Sequence, residues 1–395
     1  MYLTSFVHRD ELFEIAKRWF CGRAESTDAL RLTEIFICDG YVLGATMESI
    51  AKSLLSKVYD RPFRAKRIHS KGELRDALCR GNCLTTPRME ELFLLYREKP
   101  DFFYLEAPIN GMLCLNEEDH LLGLYRIKRP RRIAEKANRK IANWIFEIVQ
   151  SKARKMAEER ASAFGVPLEM LFTPAEEMVR EFMNAENAIS KSFMEGTIEF
   201  SREDMTIYDV GGMKVVGDEE TLYRLEADLS RNGEFLVTER EEYTGKYQAK
   251  SLILETSWDP EAVCRKYVDT KSWEKYRDRG IPAEILARGL EPLLPRAESR
   301  IRIEVILTSY PDLVESELGN SIHEERILAQ RDNKRYKGYI PTNVEFLLEY
   351  LFAVGFSPKV QVDTIPIKLW GRYLPDTLIS EIRRLYDLPE QDLFY

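Results

Sequence analysis

The chain has 395 residues, more than one ordinary hydrophobic core organises, and 44% of them are apolar, so two or three packed domains can be filled. A net charge of −8 excludes a protein that coats nucleic acid wholesale and requires any basic surface to be local. The six cysteines are scattered, only Cys79 and Cys83 are close, and there are four histidines; this argues against a structural zinc site and for a reducing compartment.

The first stretch, "MYLTSFVHRDELFEIAKRWF", is charged throughout and has no apolar core of the signal-peptide kind. No segment approaches ~18 uninterrupted apolar residues. These features predict a cytoplasmic protein with no membrane partner. In residues 1–120, "TEIFICDGYVLGA" reads as two short apolar strands or a buried segment, and "TMESIAKSLLSKVYD" as an amphipathic helix. "GELRDALCRG" and "RMEELFLLYREKP" read as further helices. No chemical motif falls in this part.

From Arg132 to about Ala163, Ile133, Ala137, Ile141, Trp144, Ile148 and Ala153 recur at helical spacing, and Gly165 with Pro167 closes the helix. A second helix follows, with Thr173 as its N-cap and Pro174 in the first position. From Met205 the period changes. "MTIYDVGGMKVVG" reads as a strand, and "DEETLYRLEADLSRNG" as a helix capped by Asp218. "EFLVTERE" and "AKSLILETSW" read as strands, "DPEAVCRKYV" as a helix and "RIRIEVILTSY" as the clearest strand of the chain. Pro311 then starts a helix expected to run to about Gln330. After residue 340 come a helix, a strand at "KVQVDT" and a helix at "LPDTLISEIRRLYD". This order predicts an α+β protein with one mixed sheet. Four units are expected: an N-terminal α/β domain over 1–125, a basic helical segment over 126–200, a mixed-sheet domain over 201–335 and a helix–strand–helix extension over 336–395.

Three features carry chemistry. In "RIRIEVILTSY", Ile301, Ile303, Val305 and Leu307 fill one face, which puts Glu304 mid-strand on the other, accessible face. Asp209 precedes Gly211 and Gly212, and glycines inside a strand mark a bulge or a close backbone approach to a ligand. Two carboxylates converging from neighbouring strands make a hard-oxygen magnesium site of the kind phosphoryl transfer uses, with Lys214 to meet a phosphate. The plainer alternative is a Gly-Gly bulge packed under a helix and a solvated Glu304.

The second feature is "RIKRPRRIAEKANRK", with eight Lys or Arg residues and one acid, Glu135, which suits polyphosphate or RNA or is a solvated helix face. The third is "EREEYTGKYQAKSLILE", where Tyr243 or Tyr247 offers a ring to a base and Lys246 or Lys250 a phosphate contact, unless it is an ordinary hairpin. His323 and Arg326 on the following helix stand ready to close such a site. Phosphate-loop, dinucleotide-binding, nucleophile-elbow and zinc-protease motifs are missing from the sequence.

Taken in order, "YDVGGMKVV", a helix, "LVTEREEY", "KYQAKSLIL" and "RIEVILTSYPDLVESELG" resemble the RelA/SpoT-type alarmone synthetase domain. "DVGGMK" is similar to that family's Asp-x-x-Gly-x-Arg motif, with Lys214 at the arginine position. "IEVILTS" is similar to its later strand through Glu304, with Ile306 and Thr308 at the glutamine and arginine positions. "RIKRPRRI" looks like its basic segment through Arg126 and Lys128. The match covers about residues 200–330. The resemblance implies a nucleotidyltransferase-like fold, transfer of pyrophosphate from ATP to GDP or GTP, and Mg2+ held by Asp209 and Glu304. It further implies phosphate contacts from Arg126 and Lys128 and guanine stacking on Tyr247, to which Lys214 and Lys250 would add the positive charge read above. The family's companion hydrolase is not expected, because no His-Asp dipeptide occurs.

Three readings follow: a divergent magnesium-dependent nucleotide pyrophosphokinase or nucleotidyltransferase-like enzyme; a catalytically degenerate nucleotide- or RNA-binding regulatory module on the same fold, with residues 126–140 as the RNA-binding segment; and an α+β scaffold whose function lies in the first 120 residues.

Overall fold

The computed structural model describes the chain apart from residues 61, 81–84, 232, 246, 320–337 and 390–395. Among the described residues it is an α+β protein of thirteen α-helices and a mixed seven-stranded sheet. The sheet is built from β2 (Arg64–Ser70), β3 (Pro108–Leu115), β4 (Leu121–Ile127), β6 (Gly211–Val216), β7 (Phe235–Tyr243), β8 (Ala249–Ser257) and β9 (Arg300–Thr308). Their spatial order is β2-β3-β4-β6-β9-β8-β7, antiparallel throughout except for β6 with β9. A separate parallel pair joins β1 (Tyr2–Leu3) to β5 (Thr206–Ile207).

Strands from the first 127 residues and strands from 211–308 thus share one sheet. The boundary expected at residue 125 falls within β4, which pairs directly with β6. This corrects the reading of a separate N-terminal domain.

On one sheet face, Ile301, Ile303, Val305 and Leu307 are buried as their alternation requires, together with Met213, Val215, Leu252 and Leu254. Helix α2 (Asp28–Val58) covers this face. It contains "TEIFICDGYVLGA", so the two strands expected there are instead the interior of a 31-residue helix. The cause is burial on every side: Ile35, Phe36, Ile37, Cys38, Tyr41, Val42 and Leu43 are all buried, which erases the amphipathic stripe. Behind α2 lie α1 (Arg9–Phe20) and α12 (Tyr339–Phe356), where Phe36 stacks on Phe352 and Phe356. A buried histidine–carboxyl contact adds a polar pin: Asp39 accepts from the backbone N–H of His8 at 2.8 Å and meets its Nδ1 at 2.6 Å, and Nε2 faces the carbonyl of Pro295 at 3.2 Å. His8, Cys38 and Asp39 also form a cluster of metal-ligand type, but 2.6 Å between the nitrogen and oxygen is a proton-sharing distance.

The opposite face is covered over β2–β4 and the end of β6 by α3 (Lys71–Arg80), α4 (Pro87–Glu98) and α11 (Tyr310–Leu318), around Leu113, Leu124 and Val216. Helix α5 (Pro130–Phe164) leaves the end of β4 and returns as α6 (Ala175–Glu195), so the single long helix and its partner stand where the periodicity puts them. Pro174 itself is the N-cap of α6, and the Thr173 hydroxyl accepts from Arg160. Helices α7 (Arg202–Met205), α8 (Glu219–Arg231), α9 (Pro260–Asp269), α10 (Ala283–Leu286) and α13 (Pro375–Leu385) complete the set.

"KVQVDT" is not a strand. Its neighbourhood is irregular, Val362, Ile365, Ile367 and Leu369 are buried without a ladder, and the Asn343 side-chain amide donates to the carbonyls of Leu369 and Gly371. The helix expected from Pro311 to Gln330 is described only as far as Leu318. Among the described residues no helix is long and apolar enough to cross a membrane.

Candidate functional site

The ladder places four residues in one row across four strands: Arg126 opposite Gly212, Gly212 opposite Glu304, and Glu304 opposite Ile253. With strands about 4.8 Å apart, the Arg126 and Glu304 backbones stand roughly 10 Å apart with a bare glycine between them. Neither Gly211 nor Gly212 forms a bulge; β6 is regular through both. A Cβ on Gly211 would meet Leu43 of α2 at 3.0 Å, so this glycine serves helix-on-sheet packing. A Cβ on Gly212 would sit 3.6 Å from Glu304 Oε2, so this one leaves room beside the carboxylate. Glu304 Oε1 accepts from Ser251 Oγ at 3.1 Å. Neither Arg126 nor Glu304 has an ion-pair partner among the described residues.

Asp209 lies just before β6. Lys128 continues the β4 ladder with an N–H to the Val210 carbonyl at 2.8 Å, and its Nζ donates to the Asp209 carbonyl at 2.5 Å and to the Asp209 carboxylate. Lys136, on the second turn of α5, donates to the same carboxylate oxygen. Burial pushes the Asp209 carboxyl up, but Lys128 and Lys136 overcome it and hold the group well below the usual carboxylate range. Burial pulls the Lys128 ammonium down to about 8 against the attraction of Asp209.

Lys214 does not balance Asp209. It lies on the same face as Glu304, two residues along β6 from Gly212, and its Nζ donates to Glu317 of α11 at 3.0 Å. Lys71, the first residue of α3, donates to the other oxygen of Glu317. Burial pushes Glu317 up, but the two lysines hold it well below its ordinary value. Burial lowers the Lys71 ammonium, which Glu317 opposes and Arg126 and Lys214 reinforce. Five cations, Lys71, Arg126, Lys128, Lys136 and Lys214, therefore share this region with three carboxylates, Asp209, Glu304 and Glu317.

Two expected contributors lie elsewhere. Lys250 is opposite Leu307, and side chains alternate along a strand, so it points to the α2 face, away from Glu304. There it pairs with Glu226 of α8 at 2.9 Å. Tyr247 sits in the β7–β8 hairpin, its ring 6.5 Å from that of Tyr243. The adjacent Gln248 is tethered by Asp312 at 2.7 Å and by the hydroxyl of Thr308, the last residue of β9. Glu304 is four residues back along that strand, about 13 Å away, so the Tyr247 ring does not stand over it.

The basic run also divides. Lys128 and Lys136 turn to Asp209, while Arg131 pairs with Glu349 of α12 at 3.1 Å and Arg132 with Glu135. Lys246, His323 and Arg326 lie outside the described residues. Of two clefts, one of about 470 Å³ lies among Asp10, Glu14, Arg31 and Arg296, and one of about 620 Å³ lies at the carboxyl ends of β6 and β9 beside Gly217 and Ser309; neither is lined by Asp209 or Glu304.

Lys136 belongs to the basic run, but its contact with Asp209 joins residues 73 positions apart, and no local spacing announces it. The Lys71–Glu317 contact joins residues 246 positions apart, and nothing local announces it. No family model matches the chain, and no curated protein and no solved structure matches it.

Proposed function

We propose that the chain is a divergent magnesium-dependent nucleotide pyrophosphokinase or nucleotidyltransferase-like protein, acting on the sheet face around Glu304. The observation that supports it best is the surplus of cations over carboxylates there. Half-buried positive charges in excess of their partners are costly until an anion joins them, and a polyphosphate supplies several such charges. Gly212 beside Glu304 supports it too, since the missing side chain lets a ligand approach the carboxylate.

The donor set fits magnesium in part. Glu304, with no ion-pair partner among the described residues, and Asp209, now held by Lys128 and Lys136, are the carboxylates that would hold the ion. Such an ion supplies neutralisation of charge developing on transferred phosphoryl oxygens. Arg126, Lys128 and Lys71 orient the phosphates. ATP with GDP or GTP is the first substrate pair to examine.

The lysine grip on Asp209 favours a second reading, a catalytically degenerate nucleotide- or RNA-binding regulatory module on the same frame. One experiment separates the two. The protein is incubated with magnesium, β- or γ-labelled ATP, and GDP, GTP or RNA. Joint transfer of both labels to an acceptor, reduced at least 100-fold by Glu304→Gln and by Asp209→Asn, supports the enzyme. Nucleotide binding without transfer supports the regulatory module. Transfer unaffected by both substitutions, or neither binding nor transfer by a folded protein, rejects this face as the site.

A further inference from the structure

Strands β6 and β9 lie side by side and parallel, but the chain leaves them toward opposite faces of the sheet. After β6 it enters α8, whose Leu225 and Leu229 pack into the core on the α2 face. After β9 it enters α11, whose Leu313 and Val314 pack with Val216 on the other face. Where adjacent parallel strands send their helices to opposite faces, a crevice opens at the strands' carboxyl ends, and open sheets place ligands there. The cleft of about 620 Å³ occupies that position, and its size suits a small organic molecule.

The charges select the ligand. A crevice of this kind ordinarily offers open helix N-termini to a phosphate. Here both are closed by the chain itself. Asp218 accepts from the Thr221 N–H at 2.8 Å at the start of α8, and Ser309 accepts from the Asp312 N–H at 3.2 Å at the start of α11. Asp218 therefore puts negative charge where an anion would sit. Asp60 adds a second carboxylate, with no ion-pair or hydrogen-bond partner among the described residues. No described lysine or arginine lines the cleft. Its walls are apolar at Leu121 and Leu122 and aromatic at Tyr59 and Tyr310. Both rings are anchored through their hydroxyls, which donate to the carbonyls of Val216 and Leu78, each at 2.6 Å. Anchored rings beside carboxylates attract a cation.

We infer that this cleft is a binding site for a small organic cation with an apolar body, in its simplest form an arylalkylamine. The walls and rings take the body, and Asp60 and Asp218 take the ammonium. The site is separate from the sheet face proposed for nucleotides, since neither Asp209 nor Glu304 lines it.

The test compares tryptamine, tryptophol and indole-3-propionate, which share one ring system and carry an ammonium, a hydroxyl and a carboxylate. Each is titrated into the full chain at low salt by calorimetry, with backbone amide shifts to locate the contact and circular dichroism melts to verify folding. Tryptamine is expected to bind about tenfold more tightly than tryptophol, and indole-3-propionate to bind weakest. The shifts are expected to centre on Leu122, Gly217 and Thr221. Asp60→Asn, at an exposed position, is expected to weaken tryptamine about fivefold and to leave tryptophol within about twofold. Thr221→Trp is expected to fill the cleft and weaken both. Tryptamine that fails to bind at millimolar concentration, or binds no better than indole-3-propionate, overturns the inference. So do shifts centred outside the cleft, or an affinity for tryptamine that either substitution leaves unchanged.

Discussion

Replacing Glu317 by glutamine tests the charge balance of the sheet face directly. The carboxylate is 8% exposed and is gripped by Lys71 on one oxygen and by Lys214 at 3.0 Å on the other. Glutamine keeps the shape and one acceptor but leaves two neighbouring ammoniums without their anion, and removing one member of a buried ion pair costs about 3 kcal/mol or more. At roughly 2.1 cal/mol/K per residue, a 395-residue chain melts with an entropy on the order of 800 cal/mol/K, so Tm falls by about 4 °C at neutral pH. The pH dependence follows from the sign of the shift. The folded carboxyl lies well below its ordinary value, so its stabilisation is complete above the unfolded pKa of about 4.3 and is lost as pH falls through the depressed folded value. Differential scanning calorimetry of both proteins from pH 7 down to acid should show a constant gap that closes below pH ~4.3. A gap under about 1 °C at pH 7, or one that persists unchanged into acid, would refute the assignment of Glu317 as the anion that holds Lys71 and Lys214 together.

Two further predictions concern the same face. Lys128 should titrate near 8 in an NMR experiment on isotope-labelled lysines, and Asp209→Asn should lower that midpoint further by removing an attractive charge; a midpoint at the ordinary lysine value would show the side chain to be solvated. Because its folded pKa is below the unfolded one, Lys128 makes stability rise with pH between about 8 and 10.4. Lys250→Ala should leave nucleotide binding and any transfer within about twofold of wild type, because its side chain lies on the other sheet face; a tenfold loss measured by the same labelled-ATP assay would contradict that placement.

Strands β6 to β9 were legible in the sequence, whereas β2, β3 and β4 were not read there as strands. The alternation through Ile301, Ile303, Val305 and Leu307 identifies β9 and predicts that Glu304 turns away from the core. Helix α2 was illegible for the opposite reason: a helix enclosed on all sides shows no stripe, and its β-branched and aromatic content imitates strands. Lys250 shows a subtler limit. Its distance from the tyrosines can be counted, but which face it takes depends on its register against Leu307, fixed by a strand some fifty residues later. Lys214 reads as a free cation until α11 brings Glu317 to it. Long-range pairing decides which charges at this site are spare, and single-chain periodicity does not contain that information.

The excursion between Ile127 and Gly211 has a kinetic meaning. Strands β4 and β6 are immediate neighbours, yet α5 and α6 intervene between them in the chain. Closing so long a loop as random coil costs about 3 kcal/mol more than closing a tight turn. Helices form and pair locally, well before distant strands meet. The folded hairpin therefore acts as a clip that returns Asp209 to the end of β4, and the central ladder is expected to zip after that clip closes. Mutations that loosen the α5–α6 seam should slow folding of the whole sheet, even though they lie far from any strand.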